Sequence, residues 1–506
     1  MEAPHQTEDD ARYRALCSRD ARFDGRWFVG VSSTGIYCRP ICRVRTPRRE
    51  NCRFFDHAAQ AEEAGFRPCL RCRPELAPQR RHWTREDAAG ILVQQATGWL
   101  DDPRHWATTA GEPPTLERLA ARLGVSSRHL RRVFEAQMSV SPLQYLLTRK
   151  LLSAKQLLVD TGLPITEVAQ ASGFGSQRRF NEAFQRHYGL QPSKLRDRRV
   201  GTPEDSRSRA VNLSWRPPFD AGALLRFLAA RQVDGVERID PLAGTYARTL
   251  RLQQAGLTRI GWLSARFEPE AHRLSLTVSE GLQPALPQVL WRVRALFDLD
   301  ADPVPINALL HGAFPGGDGL RVPGAVDGFE LAVRAVLGQQ VSVAAACTLA
   351  RRLVDAVGDV CESGPHGLNR LFPSAEVLAG TDPGCLGALG IVRQRQAAVL
   401  ALAQAVADGR LSLDGGADPD HTVRALSALP GIGPWTAQYI ALRALRWPDA
   451  WPAGDVALTR LLGLASHRST SAHREALALA EGWRPWRGYA AIRTWAGTHT
   501  SQDASS

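Results

Sequence analysis

Lysine is almost missing from this sequence. It occurs only at Lys150, Lys155 and Lys194, so arginine supplies the rest of the 63 cationic side chains. Because no lysine follows Lys194, the C-terminal part of the chain has no lysine amine that could form a Schiff base with a sugar. This absence excludes one common class of covalent catalysis from the larger part of the sequence.

Long apolar runs are missing as well. No uninterrupted stretch of 18 apolar residues occurs, which predicts that the chain has no membrane span and no membrane partner. The segment Met1–Asp20 is polar and mixed in charge, unlike the apolar core of a secretory signal. The cysteines cluster instead of pairing along the chain, and this arrangement predicts a reducing, cytoplasmic location.

Cysteine is scarce in the C-terminal part. Only Cys347, Cys361 and Cys385 lie there, and they are far apart in sequence. An iron–sulfur cluster is usually held by four cysteines. The sequence therefore predicts that no iron–sulfur cluster is built there.

Positive charge is in excess. The formal net charge of +12 favours a polyanionic partner such as double-stranded DNA. A basic surface without a specific ligand is the alternative. A chain of 506 residues is too long for a single core, which predicts three or four domains.

Four cysteines near the N-terminus form a metal-ligand pattern. Cys38, Cys42, Cys69 and Cys72 follow the spacing C-x3-C-x26-C-x2-C on a segment rich in arginine. Two short-spaced pairs of this kind predict one tetrahedral Zn²⁺ site with four thiolates. Spacing alone leaves open whether the site is purely structural or also reactive.

The residues around these cysteines resemble a known domain, on the motifs Phe23-Asp24-Gly25, Ser33–Arg45 and Ala64–Cys72. They are similar to the N-terminal domain of the Ada adaptive-response family. The resemblance implies a methyl-acceptor domain over residues 1–80, in which Cys38 irreversibly takes the methyl group of a DNA methylphosphotriester. Cys42, Cys69 and Cys72 would complete the zinc site. The expected DNA contacts are Thr34, Arg43, Arg45 and Arg67.

Residues 84–199 predict an all-helical domain with two helix-turn-helix units. Thr115 and Ser126 or Ser127 can cap the helices of the first unit, and the pattern recurs around Gly173. One such pair could be mere packing, whereas two joined by a long helix near Pro142–Asp160 are more specific. The outward-facing DNA-binding candidates are Arg128, Arg131 and Arg178.

The second unit resembles the AraC-type DNA-binding domain through Ile165–Ala169, Gly173-Phe174, Phe180-Asn181 and Tyr188–Ser193. Within the Ada family this domain follows the zinc domain, as it does here. The resemblance implies a promoter operator as the DNA partner and RNA polymerase as the protein partner.

Residues 213–300 predict a small α/β subdomain without a catalytic group. Alternating patterns indicate strands at Thr245–Leu252, Thr258–Leu263 and Arg273–Val278, and a helix follows at Leu286–Phe297.

Residues 301–500 predict a helical domain that contains the segment Leu429-Pro430-Gly431-Ile432-Gly433. This is a helix–hairpin–helix signature, in which Gly431 and Gly433 let backbone amides face a DNA phosphate. A generic DNA-holding hairpin is the alternative. Asp455 follows Trp435 by 20 residues, as in DNA base-excision glycosylases, although a lone aspartate is usually a helix cap.

The closest resemblance of residues 213–497 is to the AlkA-type 3-methyladenine glycosylase family. It is carried by Trp215–Pro218, Val322–Gly324, Arg334–Ser342 and Trp483–Arg487. It implies that Asp455 is the catalytic carboxylate and that Trp435, Tyr439 and Trp495 line the base pocket. Gln339 and Gln340 would contact DNA, and Gln340 stands where the best-known relative has a leucine wedge.

Together these features predict a multidomain protein, mainly α with α/β parts. It comprises a four-cysteine zinc module, a tandem helix-turn-helix domain, a small α/β subdomain and a helix–hairpin–helix glycosylase domain. We expect a methylphosphotriester-sensing activator that also excises alkylated purines, without strand cleavage. The alternatives are a repair enzyme whose N-terminal modules only tether it to DNA, and a regulator with an inactive glycosylase part. The chain has no Pro-Cys-His-Arg motif, so we expect no repair of O6-methylguanine.

Overall fold

The computed structural model describes residues 4–79, 88–106, 115–197, 210–254, 256–361, 364–365, 367–464 and 470–502. We refer to its parts as the zinc module (4–79), the tandem helix-turn-helix domain (88–197), the sheet subdomain (210–300) and the helical domain (301–502). The polar, charged residues 201–212 predict a linker between the second and third of these parts, and most of them lie outside the described residues. No helix in the described ranges is long and apolar enough to cross a membrane.

The zinc module is a small sheet with two helices. Its strand order is β3-β1-β2-β4, in which β1 pairs antiparallel with β2 and β3, and β2 pairs parallel with β4. Cys38 ends β2, and Cys69 follows β4 directly, so neighbouring strands bring two cysteines together. The elements are α1 Pro4–Ser18, β1 Phe28–Val31, β2 Ile36–Cys38, β3 Cys52–Phe55, α2 Ala58–Glu63 and β4 Arg67–Pro68.

The predicted tandem helix-turn-helix arrangement is confirmed. The Thr115 side chain caps α4 and the Ser126 side chain caps α5, each by accepting a backbone N–H. Gly173 turns between α7 and α8 with a φ of +76°, a conformation that favours glycine. The helices are α3 Ala88–Leu100, α4 Leu116–Arg122, α5 Ser127–Met138, α6 Pro142–Asp160, α7 Ile165–Ala171, α8 Gln177–Tyr188 and α9 Pro192–Asp197.

The sheet subdomain contains the antiparallel sheet β5-β9-β8-β7-β6. All three predicted strands are present, and β8 continues to Glu268, beyond the predicted end at Leu263, because its alternating burial pattern persists. The elements are β5 Val211–Ser214, α10 Ala221–Ala229, β6 Glu237–Asp240, β7 Thr245–Gln254, β8 Leu257–Glu268, β9 Arg273–Val278 and α11 Leu286–Leu296.

The helical domain has two hydrophobic clusters, one around α13, α17 and α19 and the other around α22. Helices α18 and α19 flank the predicted hairpin. The helices are α12 Pro303–Leu310, α13 Gly328–Leu337, α14 Val343–Val357, α15 Ala375–Ala379, α16 Pro383–Ala388, α17 Arg393–Ala407, α18 Pro419–Ser427, α19 Pro434–Arg443, α20 Val456–Leu461, α21 Thr470–Glu481 and α22 Arg487–Gln502.

The parts of the chain pack on one another. Buried residues of the second helix-turn-helix unit, such as Phe180 and Phe184, belong to the same hydrophobic cluster as Leu213 and Leu276 of the sheet. Leu76 of the zinc module joins this cluster. The DNA-binding domain and the sheet subdomain therefore share one core.

Candidate functional site

Asp455 is the N-cap of α20. Its Oδ1 accepts the backbone N–H of Leu458 at 2.8 Å, and its Oδ2 accepts the indole N–H of Trp435 at 2.8 Å. The carboxylate is therefore a helix cap and also part of the aromatic site. The side chain is half-buried, so the carboxylate stays accessible from outside while two donors fix its orientation.

Three aromatic rings follow one another in space, beginning with the ring of Trp435, whose indole N–H contacts this carboxylate. The rings of Trp435 and Tyr439 lie 5.3 Å apart at 10°, and those of Tyr439 and Trp495 lie 6.2 Å apart at 56°. Trp435 and Tyr439 are four residues apart on α19, which places them on one helix face. All three predicted pocket residues are thus brought together, and their faces offer a surface for stacking a planar, cationic base.

Arg443 fixes the position of Tyr439 through a hydrogen bond to its hydroxyl. Its Nη1 donates to the Tyr439 hydroxyl at 2.7 Å, while its Nε and Nη2 donate to the carbonyls of Pro323 and Gly324. Burial raises the pKa of Tyr439, but the positive charges of Arg443 and Arg231 outweigh burial and leave that pKa below its usual value. Arg443 is not among the residues predicted from the sequence, although its position one helical turn after Tyr439 on α19 could have indicated it.

The hairpin between α18 and α19 has the geometry that its glycines predict. Gly431 has a φ of +75°, and a Cβ there would lie 3.0 Å from the Cβ of Ala398. Gly433 is exposed at the N-terminus of α19 with open space around it. Backbone amides at this helix start can therefore face a phosphate oxygen.

Gln339 and Gln340 lie at the turn after α13 and differ in environment. The Gln339 amide donates to the carbonyl of Gly431 at 2.9 Å and to the hydroxyl of Thr436 at 3.0 Å, so it braces the hairpin. Gln340 is exposed and has a φ of +55°. Both remain predicted DNA contacts, and only Gln340 presents an exposed side chain.

The four predicted zinc ligands converge. The Sγ atoms of Cys38, Cys42, Cys69 and Cys72 all lie within 4.8 Å of one another. A tetrahedral zinc site with bonds of about 2.3 Å requires sulfur–sulfur distances of about 3.8 Å, so the donor set fits Zn²⁺. Cys38, Cys42 and Cys69 are buried, and the backbone N–H of Arg39 donates to Cys72 Sγ at 3.3 Å.

A buried carboxyl connects the strand that carries Cys38 to the DNA-binding domain. Glu62 of α2 accepts hydrogen bonds from the Tyr37 hydroxyl and the Thr148 hydroxyl of α6, each at 3.0 Å. Burial raises the pKa of Glu62 to about 7. Sequence analysis gave no signal for this contact, because Thr148 and Glu62 are 86 residues apart.

The predicted DNA contacts of the N-terminal modules are exposed. Arg67 also contacts the next domain, since its Nη1 donates to the Tyr188 carbonyl at 3.3 Å. Arg131 and Arg178 form ion pairs with glutamates one helical turn later. Such exposed pairs are weak and leave both arginines available to phosphates. The exposed set is Thr34, Arg43, Arg45, Arg67, Arg128, Arg131 and Arg178.

Four family models match successive parts of the chain. Residues 11–75 match the metal binding domain of Ada, and residues 119–198 match a helix-turn-helix domain. Residues 210–327 match the AlkA N-terminal domain, and residues 333–485 match the HhH-GPD superfamily of base excision DNA repair proteins. Zinc in the first module and DNA as a partner follow from these matches together with the converging cysteines.

Similar proteins cover the chain as a whole and in parts. A probable bifunctional transcriptional activator/DNA repair enzyme AlkA of Mycobacterium tuberculosis is 39% identical, over 96% of this chain and 95% of its own length. DNA-3-methyladenine glycosylase 2 of Escherichia coli is 36% identical, over 56% of this chain and 95% of its own length. The Escherichia coli activator and repair enzyme Ada is 38% identical, over 26% of this chain and 34% of its own length.

Proposed function

The chain belongs to the family of bifunctional transcriptional activators and DNA repair enzymes that join an Ada-type metal-binding domain to an AlkA-type DNA glycosylase, and on this premise we propose two specific activities. The glycosylase half, which comprises the sheet subdomain and the helical domain, hydrolyses the N-glycosidic bond of alkylated purines such as 3-methyladenine and 7-methylguanine. The N-terminal half activates transcription, through contact with RNA polymerase, after Cys38 has accepted a methyl group from a methylphosphotriester.

One observation carries the glycosylase proposal. The Asp455 carboxylate lies beside the aromatic row, held by the Trp435 indole at 2.8 Å. In this arrangement a flipped base stacks on the rings while the carboxylate stabilises the positive charge that develops on the sugar, or orients the attacking water. Alkylated purines are cationic and leave readily, so they need little help from a general acid and stack favourably on aromatic faces.

The lysine distribution supports a monofunctional enzyme. Lys150 donates to the carbonyls of Trp106 and Gly173, and Lys155 forms a buried ion pair with Glu75, so both are committed to structure within the N-terminal half. The glycosylase half has no lysine of its own. Without an amine to attack the sugar, the product is an abasic site and not a cut strand.

Replacing Asp455 tests the glycosylase proposal. Because asparagine caps helices as well as aspartate does, Asp455→Asn keeps the cap of α20 and removes the charge, together with the oxygen that accepts the Trp435 indole N–H. We expect base release from a duplex containing 7-methylguanine, followed by chromatography, to fall on the order of a hundredfold or more. The matched control is Asp382→Asn, since Asp382 caps α16 in the same way and should leave the rate unchanged. Equal rates for wild type and Asp455→Asn would contradict the proposal.

The sensor proposal starts from the chemistry of Cys38. Its sulfur forms a bond to the methyl carbon, the carbon–oxygen bond of the triester breaks, and the electron pair remains on the phosphate as a diester anion. Bound Zn²⁺ supplies the deprotonated thiolate that this step needs at neutral pH. A small cavity of about 10 Å³ adjoins Cys38, which is room for one group of the size of a water molecule. The side chains of Val29, Val31 and Val44 form part of its lining.

Methylation also changes the field at the DNA surface. Four thiolates on Zn²⁺ carry a formal charge of −2, and a thioether in place of one leaves −1. Removing one charge about 6 Å from a phosphate favours binding by roughly 0.7 to 3 kcal/mol for effective dielectric constants between 80 and 20. The exposed Arg43 and Arg45 beside the site then act on the phosphates with less opposition.

A promoter reporter tests the regulatory part. Cys38→Ser should abolish induction by a methylating agent, because the serine hydroxyl neither completes the site nor accepts the methyl group. Cys17→Ser, which changes an exposed cysteine of the same module, should induce normally, and so should Asp455→Asn. Full induction with Cys38→Ser would reduce the N-terminal modules to a DNA tether.

A further inference from the structure

We propose that a series of buried arginines couples the zinc site energetically to the base pocket of the glycosylase half. This arginine series begins at Arg39, next to Cys38. It continues through Asp24, Arg216 and Arg321 and ends at Arg443, which contacts Tyr439. This coupling goes beyond the two proposed activities and does not depend on either substrate. It requires only that the zinc module binds its metal.

Arg39 is the first residue of the arginine series and lies in the metal loop, the segment from Cys38 to Cys42. Its backbone N–H donates to Cys72 Sγ, and its Nη1 donates to the Cys72 carbonyl at 3.0 Å. The same guanidinium forms a buried ion pair with Asp24 and donates to the hydroxyl of Ser214 at 2.9 Å. Ser214 ends β5, so the loop between Cys38 and Cys42 is bonded directly to the glycosylase half.

Arg216, two residues after Ser214, bonds the zinc module to the glycosylase half. Its Nε donates to the Asp24 carbonyl at 2.8 Å, and its Nη2 donates to the carbonyls of Pro78 and Gln79. Its Nη1 donates to the carbonyl of Asp300 at 2.8 Å. Arg216 is 1% exposed. A guanidinium buried to this extent must satisfy its N–H groups within the protein, so the carbonyls on both sides of the interface are held at fixed positions.

Close contacts between the zinc module and the sheet subdomain surround Arg216. Gly25 has a φ of +69°, and a Cβ there would lie 1.9 Å from the Pro78 carbonyl oxygen. The backbone N–H of Gln79 donates to Asp300 Oδ1 at 2.8 Å, and Arg294 donates to the Leu76 carbonyl at 2.9 Å. The zinc module, including its residues 76–79, is therefore docked closely on the sheet subdomain.

Two more buried arginines, Arg321 and Arg443, extend the arginine series to the base pocket. Arg321 Nη2 donates to the Arg216 carbonyl at 2.6 Å and to the Pro218 carbonyl at 3.0 Å. Two residues after Arg321, the Pro323 carbonyl accepts from Arg443 Nε at 2.7 Å, and Arg443 Nη1 donates to the Tyr439 hydroxyl. A displacement of the metal loop therefore reaches Tyr439 through a continuous series of hydrogen bonds and one short backbone segment.

Hydrogen–deuterium exchange of the full-length chain, read by mass spectrometry, tests the coupling. The zinc-loaded protein is compared with protein stripped by a chelator under reducing conditions. We expect stripping to speed exchange in the segments 211–219, 319–326 and 434–443, the last of which carries Tyr439 and Arg443, between about twofold and thirtyfold, the range that such couplings span. Equal exchange of these segments in loaded and stripped protein would overturn the proposal.

Variants test whether the coupling passes through the arginine series. Arg216→Met removes the donors at the interface, and Ser214→Ala removes a single hydrogen bond, so the second variant serves if the first does not fold. Each should shrink the zinc-dependent change in exchange. Arg248→Met is the matched control, because Arg248 is equally buried but pairs with Glu330 inside the glycosylase half, and it should leave the zinc-dependent change intact. An unchanged zinc dependence in both Arg216→Met and Ser214→Ala would also overturn the proposal.

Discussion

Single residues in this molecule often have two roles. The Asp455 carboxylate caps α20 with one oxygen and accepts the Trp435 indole with the other. The sequence spacing predicts that the two residues belong to one site, and the structure brings their side chains into contact. The hydrogen bond between them was not predictable, because it depends on the path of an irregular loop between α19 and α20 that no local propensity sets.

The indole N–H of Trp435 gives a test at the residue scale. Trp435→Phe keeps an aromatic face for stacking but removes the donor that orients Asp455. We expect the single-turnover rate of base release to fall on the order of tenfold to a hundredfold, as for a displaced catalytic group, with little change in DNA affinity. The control is Trp483→Phe, because the Trp483 ring packs against Phe314 and Trp451. A loss of affinity without a loss of rate would show that Trp435 only stacks.

Whether an element or a contact could be predicted depends on how far apart in sequence the interacting residues are. The helices of the tandem helix-turn-helix domain were predictable from caps such as Ser126 and turns such as Gly173, because these signals lie within a few residues of their effect. The contact between α2 and α6 through Glu62 and Thr148 was not predictable. It joins residues 86 positions apart, and either residue alone is ordinary for a helix.

Glu62 gives a test at the element scale. Burial raises its pKa from 4.5 to about 7, so the folded state keeps a proton that the unfolded state releases between these two values. Stability is therefore lost as pH rises from about 4.5 to about 7, and the loss is constant above that window. Since glutamine cannot titrate, we expect the unfolding free energy of Glu62→Gln to gain on wild type across this window, by up to about 3 kcal/mol.

Urea unfolding of the full chain at a series of pH values measures this difference, with zinc content checked at each pH. Glu63→Gln is the control, because Glu63 is the exposed neighbour on the same helix. A difference between Glu62→Gln and wild type that stays flat with pH would contradict the assignment of a buried, protonated carboxyl between α2 and α6.

The molecule as a whole is more tightly joined than its sequence motifs suggest. Trp215–Pro218 served in the sequence as a family resemblance, yet Arg216 within it holds the zinc module against the glycosylase half. Motifs mark residues that share chemistry, whereas docking depends on carbonyls supplied by distant segments. The domain types were therefore predictable, while their packing into one body was not.

The central claim is that one chain combines a sacrificial methyl acceptor with a hydrolytic repair site. Peptide mass spectrometry of the full-length protein, after incubation with methylated duplex DNA, tests it most directly. The account predicts the mass of one added methyl group on the peptide that contains Cys38, and none on that peptide from Cys38→Ser protein. An unmodified Cys38, or a methyl group found on Cys42, Cys69 or Cys72 instead, would contradict it.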